Sequence, residues 1–571
     1  MHADSSLSTE PSIEPEFAPE FAPEFEIETD WIKIWAYISP KSIAVQEADS
    51  GLAHSYAQLL YLSCRIAKML EDEFQVAHGD RVALVAQNEL ESIALFFAVQ
   101  RLGAILVPLN FRLAKPELMA LLRNSEPKVV ISQERFYHLL PLAEQDPETE
   151  TALAKIPPLQ LQIRANVKTK LWSFDSDAGA DPALHESCSV RHFVLRALKD
   201  FEQDEIHTSL RRDHPTKNWF RATKSKFRDP CLILYTSGTT GTPKGAVMTN
   251  RMLHWNSLNT SLRLNINQND VTIGFSPLFH TSGWNVLLTP FLHRGAKTIL
   301  MKRFSASRLL ELCEKERVTI IFGVPTTMAM IVSHEAFVTT SLTSLRYAVV
   351  GGEPMPIELI KTWQIKGVPI RQGYGLTEFG PGVFSLNQED AVRKIGSVGF
   401  PNFYIETKIQ NEAAEDVGPN EIGELLLRGP VCMSGYWRNE VATHQAIRDG
   451  WLYTGDLVKR DEEGYFYIVG RKLDMFISGG ENIFPAEVEQ VIGSHPAILE
   501  VAVIGVSDAK WGQVGKAFIV LKPGARIGFE EINLFCAEYL AKYKIPKSLT
   551  IIDELPKGAS GKILKSQLIG S

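Results

Sequence analysis

The stretch Tyr235-Thr236-Ser237-Gly238-Thr239-Thr240-Gly241-Thr242-Pro243-Lys244-Gly245 follows directly on an apolar run, Leu232-Ile233-Leu234. Glycines open backbone conformations closed to other residues and let amides approach an anion, while Ser and Thr hydroxyls donate to phosphate oxygens and a lysine supplies charge. An apolar strand running into such a loop reads as a phosphate-handling turn suited to a nucleoside triphosphate. The spacing excludes a conventional P-loop, which needs Gly-Lys-Ser/Thr, because here Pro243 precedes the lysine and Gly245 follows it. An ordinary surface turn explains a short Ser/Thr/Gly cluster but not a run of this length.

Outward from that loop, the chain of 571 residues exceeds one ordinary core, so two or more domains are expected. A hydrophobic content of 45% with 22% charged residues is that of a globular enzyme, and a net charge of -8 argues against a nucleic-acid partner. The six cysteines, Cys64, Cys188, Cys231, Cys313, Cys432 and Cys536, form no Cys-x-x-Cys pair, which favours reduced thiols over structural zinc. No apolar run reaches the roughly 20 residues of a membrane span, and the N-terminus lacks the layout of a signal peptide. The expected location is the cytoplasm, with a peripheral membrane contact and a homodimer left open.

Residues 1–30 carry the repeat Pro15-Glu16-Phe17-Ala18-Pro19-Glu20-Phe21-Ala22-Pro23-Glu24-Phe25, whose prolines and acids read as a disordered tail. From Trp31 the pattern becomes βαβ: strand Val82–Val85, helix Ser92–Leu102, strand Ala104–Asn110, with Gly79 and Gly103 at the tight turns. This predicts a large α/β domain over 31–470, with mostly parallel sheets covered by helices. Within it, 132–228 is a long variable segment with a basic run, Arg211 to Arg228, read as a solvated elaboration. Strands return at Cys231 and continue through Val271–Ile273, Thr298–Leu300, Thr319–Phe322 and Tyr347–Val350. A change near Gly470 leaves 471–571 as a small mobile α+β domain, with strands at Val501–Gly505 and Ala517–Leu521 and a helix around Glu530–Tyr543.

Further motifs follow the phosphate loop in order: Ser276-Pro277-Leu278-Phe279-His280-Thr281-Ser282-Gly283, Gly351-Gly352-Glu353, Gln372-Gly373-Tyr374-Gly375-Leu376-Thr377-Glu378, Trp451-Leu452-Tyr453-Thr454-Gly455-Asp456, Gly470-Arg471 and Pro556-Lys557-Gly558-Ala559-Ser560-Gly561-Lys562. Loop and order together resemble the acyl-adenylate-forming superfamily of acyl-CoA synthetases, luciferases and peptide-synthetase adenylation domains. The resemblance implies that Thr236, Ser237, Gly238, Thr239, Thr240, Gly241 and Lys244 hold the triphosphate. Gly352, Glu353, Gly373, Tyr374 and Gly375 would frame adenine, Thr377 would donate to the α-phosphate and Glu378 would bind magnesium, an ion that takes oxygen ligands. Asp456 would hold the ribose with help from Arg471, His280 would gate the carboxylate pocket, and Lys562 would stabilise charge as pyrophosphate leaves. Gly423-Glu424-Leu425-Leu426-Leu427-Arg428-Gly429-Pro430 reads as plain strand and turn.

The resemblance further implies a two-step reaction: carboxylate and MgATP give acyl-AMP and pyrophosphate, then a thiol displaces AMP. Rotation of the small domain would bring Ser478, Gly479 and Gly480 over the site, with Trp511 nearby. Two positions depart from the family pattern: the hinge, usually Asp or Lys, is Leu473, and Gly558 stands where Thr is common. Absence of a carrier domain before Ser571 favours free CoA as acceptor. His280, Trp284 and Val324 are expected around the acyl group, and fatty-acid-type ligases are the nearest pattern, with aryl-acid ligases of the coumarate or succinylbenzoate type as the alternative. A silent nucleotide-binding regulator would need a broken residue set, which this chain does not have. A luciferase would share every motif named.

Overall fold

The computed structural model describes residues 27–140, 172–173, 223–236, 243–478, 481–558 and 563–568. Most of the expected variable segment, its periodic piece at His192–Phe201 included, and the acidic repeat lie outside the described residues.

The strands around the phosphate loop form a six-stranded sheet in the order Trp172–Ser173, Val129–Ser132, Arg81–Val85, Ile105–Pro108, Pro230–Thr236, Lys244–Thr249. The first five run parallel and the last closes an antiparallel hairpin with Pro230–Thr236. Because alternate side chains of a strand point to opposite faces, the sheet feeds two cores. Val82, Leu84, Leu106, Leu232 and Leu234 pack on the side of helix Leu90–Arg101. Ala83, Val85, Ile105, Val107 and Ile233 pack on the side of helix Lys115–Ser125. Burial on both faces makes such strands continuous apolar runs, which is why they were readable.

Three more sheets complete the large body. One has the order Ala53–Ser55, Ile43–Glu47, Lys297–Leu300, Val271–Gly274. A second runs Ile320–Gly323, Tyr347–Val350, Ile370–Leu376, Gly380–Ser385, Phe400–Pro401, parallel across the first three strands and antiparallel thereafter. The third is antiparallel throughout: Glu406–Gln410, Gly423–Arg428, Trp451–Arg460 and Ile447–Arg448, with Phe466–Arg471 paired to Trp451–Arg460. The large body is thus mixed rather than mostly parallel. Two of these pairs, Ile370–Leu376 with Gly380–Ser385 and Trp451–Arg460 with Phe466–Arg471, follow each other too closely in sequence for a parallel crossover.

A separate sheet begins at Phe476–Ser478, in the order Glu481–Ile483, Phe476–Ser478, Gly512–Leu521, Ile498–Asp508, with Ser548–Ile551 against Gly512–Leu521. Helices Pro485–Gly493 and Phe529–Tyr539 cover it through Val488, Ile492, Ile532 and Cys536. Among the described residues no helix is long and apolar enough to cross a membrane.

The first helix, Trp31–Ile38, is tied down by buried chemistry. Asp30 caps it by accepting from the Lys33 amide, and its other oxygen meets the Arg101 guanidinium at 2.5 Å, both side chains being 1% exposed. Trp31 stacks on His293 at 4.2 Å between ring centres, and Trp35 Nε1 donates to the His293 carbonyl at 2.9 Å.

Candidate active site

The loop that leaves the carboxyl end of Tyr347–Val350 carries one motif and the carboxyl half of strand Ile370–Leu376, with the turn after it, carries another, the position where open α/β sheets bind ligands. Gly352 has φ +90°, a conformation that favours glycine. A Cβ on Gly351 would approach the Gly373 carbonyl to 3.2 Å, so the Gly351 loop and the Gly373 strand lie side by side. A Cβ on Gly375 would stand 2.2 Å from the Pro381 carbonyl oxygen, so this strand and the returning one need a bare backbone there.

Tyr374 extends from this strand and its hydroxyl donates to Asp456 Oδ2. The other carboxylate oxygen, Oδ1, receives Arg471 Nε at 2.7 Å. Arg471 Nη1 also donates to the Thr454 carbonyl at 3.2 Å, and Thr454 Oγ1 accepts from the Asp456 amide at 3.0 Å. The pairing of Trp451–Arg460 with Phe466–Arg471 sets Asp456 opposite Arg471 in register, which is why residues fifteen apart meet. Burial and then the Asp456 charge push the Tyr374 phenol well above its ordinary range, keeping it a donor. Burial works against the Arg471 charge, but Asp456, Tyr374 and Glu378 outweigh it and raise its pKa. Arg471 therefore feels both carboxylates of the site.

Thr377, buried, and Glu378 lie in a short helical turn, Thr377–Phe379. Glu378 Oε1 accepts from the Tyr436 hydroxyl at 2.8 Å, and its carbonyl accepts from the Met433 amide at 2.9 Å. Lys244 Nζ lies 5.4 Å from the centre of the Tyr436 ring, so the described end of the phosphate loop reaches the same place. At the other end of the loop, Thr236 Oγ1 donates to the Lys244 carbonyl at 3.3 Å. Ser237, Gly238, Thr239, Thr240 and Gly241 lie outside the described residues.

The His280 turn is held from two directions. Asn88 Nδ2 donates to the Ser276 carbonyl at 2.9 Å while Asn88 Oδ1 accepts from the Leu278 amide at 3.2 Å. Asn256, on helix Asn250–Leu264, donates to the Asn285 carbonyl at 2.7 Å and accepts from the Gly382 amide at 3.3 Å, joining this turn to the strand that follows Glu378. His280 is half-buried, with its ring 6.3 Å from that of Phe279. Val324 lies beside the Gly351–Gly352 loop, 3.5 Å from a Cβ built on Gly352. Trp284 requires a correction: it is 1% exposed, its ring packs 5.1 Å from Phe96, and its Nε1 donates to the Leu278 carbonyl. It is a core anchor of the turn rather than a wall of an acyl pocket. Tyr436, Asn88 and Asn256 were not singled out in the sequence, since a lone tyrosine or asparagine carries no pattern there.

Around the expected hinge, the Lys472 amide donates to the Gly455 carbonyl at 2.9 Å and Lys472 Nζ meets Glu424 Oε2 at 2.8 Å. Glu424 Oε1 accepts from the Gly455 amide at 3.2 Å, so the stretch read as plain strand steadies the Asp456 turn. The next residue, Leu473, is 73% exposed. On the C-terminal sheet, Ser478 is buried and pairs with Gly512 beside the exposed Trp511, whose amide donates to Asp508 at 2.8 Å. Gly479, Gly480 and Lys562 lie outside the described residues. The flanks of Lys562 are pinned: Lys557 bridges Ile563, Lys557 Nζ meets Glu500 at 2.5 Å, and Lys565 Nζ meets Glu489 at 2.7 Å.

A mixed α/β body with a carboxylate–arginine pair, a second carboxylate and a phosphate-loop lysine gathered at strand ends, followed by a small α+β domain, defines an adenylate-forming enzyme. The chain belongs to the AMP-binding enzyme family: residues 33–437 match the family's AMP-binding enzyme model and residues 487–562 match its C-terminal domain. It is an AMP-forming acid–thiol ligase. Feruloyl-CoA synthase of Amycolatopsis sp is 36% identical, covering 93% of this chain and 96% of that protein. Indoleacetate–CoA ligase of Aromatoleum aromaticum is 35% identical over 95% and 97%. The long-chain-fatty-acid–CoA ligase FadD13 of Mycobacterium tuberculosis is 33% identical over 93% and 96%. Among solved structures, o-succinylbenzoate CoA synthetase (MenE) of Bacillus subtilis with its acyl-adenylate intermediate matches with TM-score 0.77 at 30% identity, covering 95% of this chain and 98% of that one. The same enzyme has also been solved in complex with ATP and magnesium ion.

Proposed function

We propose that this enzyme activates an aryl or arylalkyl carboxylic acid with MgATP and transfers the acyl group to CoA. In the first half-reaction a carboxylate oxygen attacks the α-phosphorus, the bond to the bridging oxygen breaks and pyrophosphate leaves. In the second, the CoA thiolate attacks the acyl carbon and AMP departs. The phosphate loop with Lys244 holds the leaving pyrophosphate, Thr377 donates to the α-phosphate, and Asp456 with Arg471 fixes the ribose. Gly352, Glu353, Gly373 and Tyr374 border adenine, and His280 faces the acyl group. Lys562 supplies charge during adenylation, and Ser478 to Gly480 with Trp511 serve the thioester step.

The residues present fit magnesium. Among the described residues no group of three or more His, Cys, Asp or Glu could cage a metal, but magnesium is commonly held by one or two carboxylates plus substrate phosphates, and Glu378 is such a carboxylate with its orientation set. Bound there, the ion would neutralise charge building on the phosphates.

The substrate class rests on the likeness to ligases of aryl and arylalkyl acids, beside the apolar surroundings of Val324. The apolar cluster it packs against, with Phe291, Phe322, Tyr347 and Val349, is filled by its own buried side chains. An apolar wall beside Val324 suits the hydrocarbon part of a carboxylic acid. Relatives acting on ferulate, indoleacetate and succinylbenzoate support the same reading. The second reading, a long-chain fatty acid, rests on the likeness to FadD13. Comparison of kcat/KM for a hydroxycinnamic acid, an arylacetic acid and a sixteen-carbon fatty acid decides between them: at least a tenfold preference for an aryl acid is expected, and preference for the fatty acid overturns the proposal.

A further inference from the structure

Tyr436 stands between the two charged groups that the reaction uses on the phosphates. Its hydroxyl donates to Glu378 Oε1 at 2.8 Å, and the face of its ring lies 5.4 Å from Lys244 Nζ. Its own placement is set by backbone. Ala246 bridges Tyr436, the Val247 amide donates to the Gly435 carbonyl at 2.9 Å, and the Trp437 amide donates to the Gly245 carbonyl at 2.7 Å. The Tyr436 amide in turn donates to Thr443 Oγ1 at 2.9 Å. The strand that carries the phosphate-loop lysine and the loop that carries Tyr436 are therefore one zippered unit, and the tyrosine hydroxyl is the point where that unit meets Glu378.

We propose that Tyr436 is a positioning residue for magnesium: its hydroxyl aims the Glu378 carboxylate, and its ring keeps the Lys244 cation from pairing with that carboxylate before nucleotide phosphates arrive. This rests on the reading of Glu378 as the magnesium ligand. A carboxylate free to rotate can turn to a neighbouring cation, and a lysine ammonium paired with it would compete with the metal. A cation over a tyrosine face is held by the ring quadrupole instead, which leaves the carboxylate oxygens to the hydroxyl and the metal.

The test is calorimetric binding of ATP across a magnesium titration, with ATP binding in EDTA as reference, for the parent, Tyr436→Phe, Tyr436→Leu, Glu378→Gln and the double variant Glu378→Gln/Tyr436→Phe. Tyr436→Phe keeps the ring over Lys244 and removes only the hydroxyl. It is expected to raise the magnesium concentration at half-effect at least about tenfold, the loss of one hydrogen bond to a charged group, while leaving binding in EDTA unchanged. Tyr436→Leu, which also frees Lys244, is expected to raise it further, and the double variant to match Glu378→Gln alone because the two groups act as one unit. An unchanged magnesium midpoint in Tyr436→Phe while Glu378→Gln shifts overturns the proposal. So does a Tyr436→Phe loss equal with and without magnesium, the mark of a merely structural role, or full additivity in the double variant. No shift in Glu378→Gln removes the underlying reading of Glu378 instead.

Discussion

Replacing Asp456 by Asn separates the two tasks assigned to this carboxylate. Asp456 Oδ2 accepts from Tyr374 and Oδ1 from Arg471. Asn offers one acceptor and a donating amide, so it keeps one of these bonds and turns a donor toward the other partner. Arg471 is 46% exposed and can turn to water, so its loss adds little to stability. The partly buried Tyr374 hydroxyl can accept from the Asn amide, so the cost in stability there is about 1 kcal/mol or less. Nucleotide binding should suffer more. Two ribose hydroxyls donating to a charged acceptor contribute about 1.5–3 kcal/mol each, of which Asn retains a weaker part, so a net loss of about 2–3 kcal/mol, or about 30- to 150-fold in ATP affinity, is expected. Calorimetry with ATP and 3′-deoxy-ATP reads this directly. The parent should bind the deoxy analogue at least tenfold more weakly, and Asp456→Asn should discriminate far less. Undiminished discrimination in the variant would refute the ribose assignment, whatever the change in stability.

Three further outcomes follow from the same geometry. Lys562→Ala should lower acid-dependent pyrophosphate exchange about 100-fold, about 2.7 kcal/mol of transition-state stabilisation, while thioester formation from supplied acyl-AMP survives; near-normal exchange removes Lys562 from the adenylation step. Leu473→Asp should speed the thioester half-reaction relative to adenylation in single-turnover assays, because an exposed apolar pivot is replaced by a solvated one; unchanged half-reactions would show that the departure has no consequence. Burial, with His254 and Arg294 adding, lowers the His293 pKa to about 3, so the fold holds a neutral imidazole where the unfolded chain binds a proton below about pH 6.5. The stability this confers is complete above pH 6.5 and lost as pH falls toward 3, about 2 kcal/mol by pH 5; urea melts at pH 7.5 and 5.0 should show that loss, and His293→Gln should shrink it.

The strands flanking the phosphate loop were legible because burial on both faces makes them continuous apolar runs; Tyr347–Val350 matches the expected span residue for residue. The antiparallel sheet from Glu406 to Arg471 was not read as such. Its strands are partly exposed, as where Trp451 lies between Lys408 and Arg428, so their apolar signal is diluted. At the site, motif order located Asp456 and Arg471, and strand pairing brings them together. Tyr436 had no such signal: its partner Glu378 is 58 residues away, and only the fold joins them. Trp284 misled because an apolar residue after a glycine reads equally as pocket wall or core, and burial decides for the core.

A single-turnover quench experiment with purified enzyme, ATP, magnesium and an accepted acid tests the central claim that one site performs both half-reactions. Without CoA, enzyme-bound acyl-AMP should accumulate to one equivalent alongside pyrophosphate, and addition of CoA should convert it to thioester and AMP in equal amounts. AMP release that needs no acid, or acyl-AMP that CoA leaves unconsumed, would contradict it.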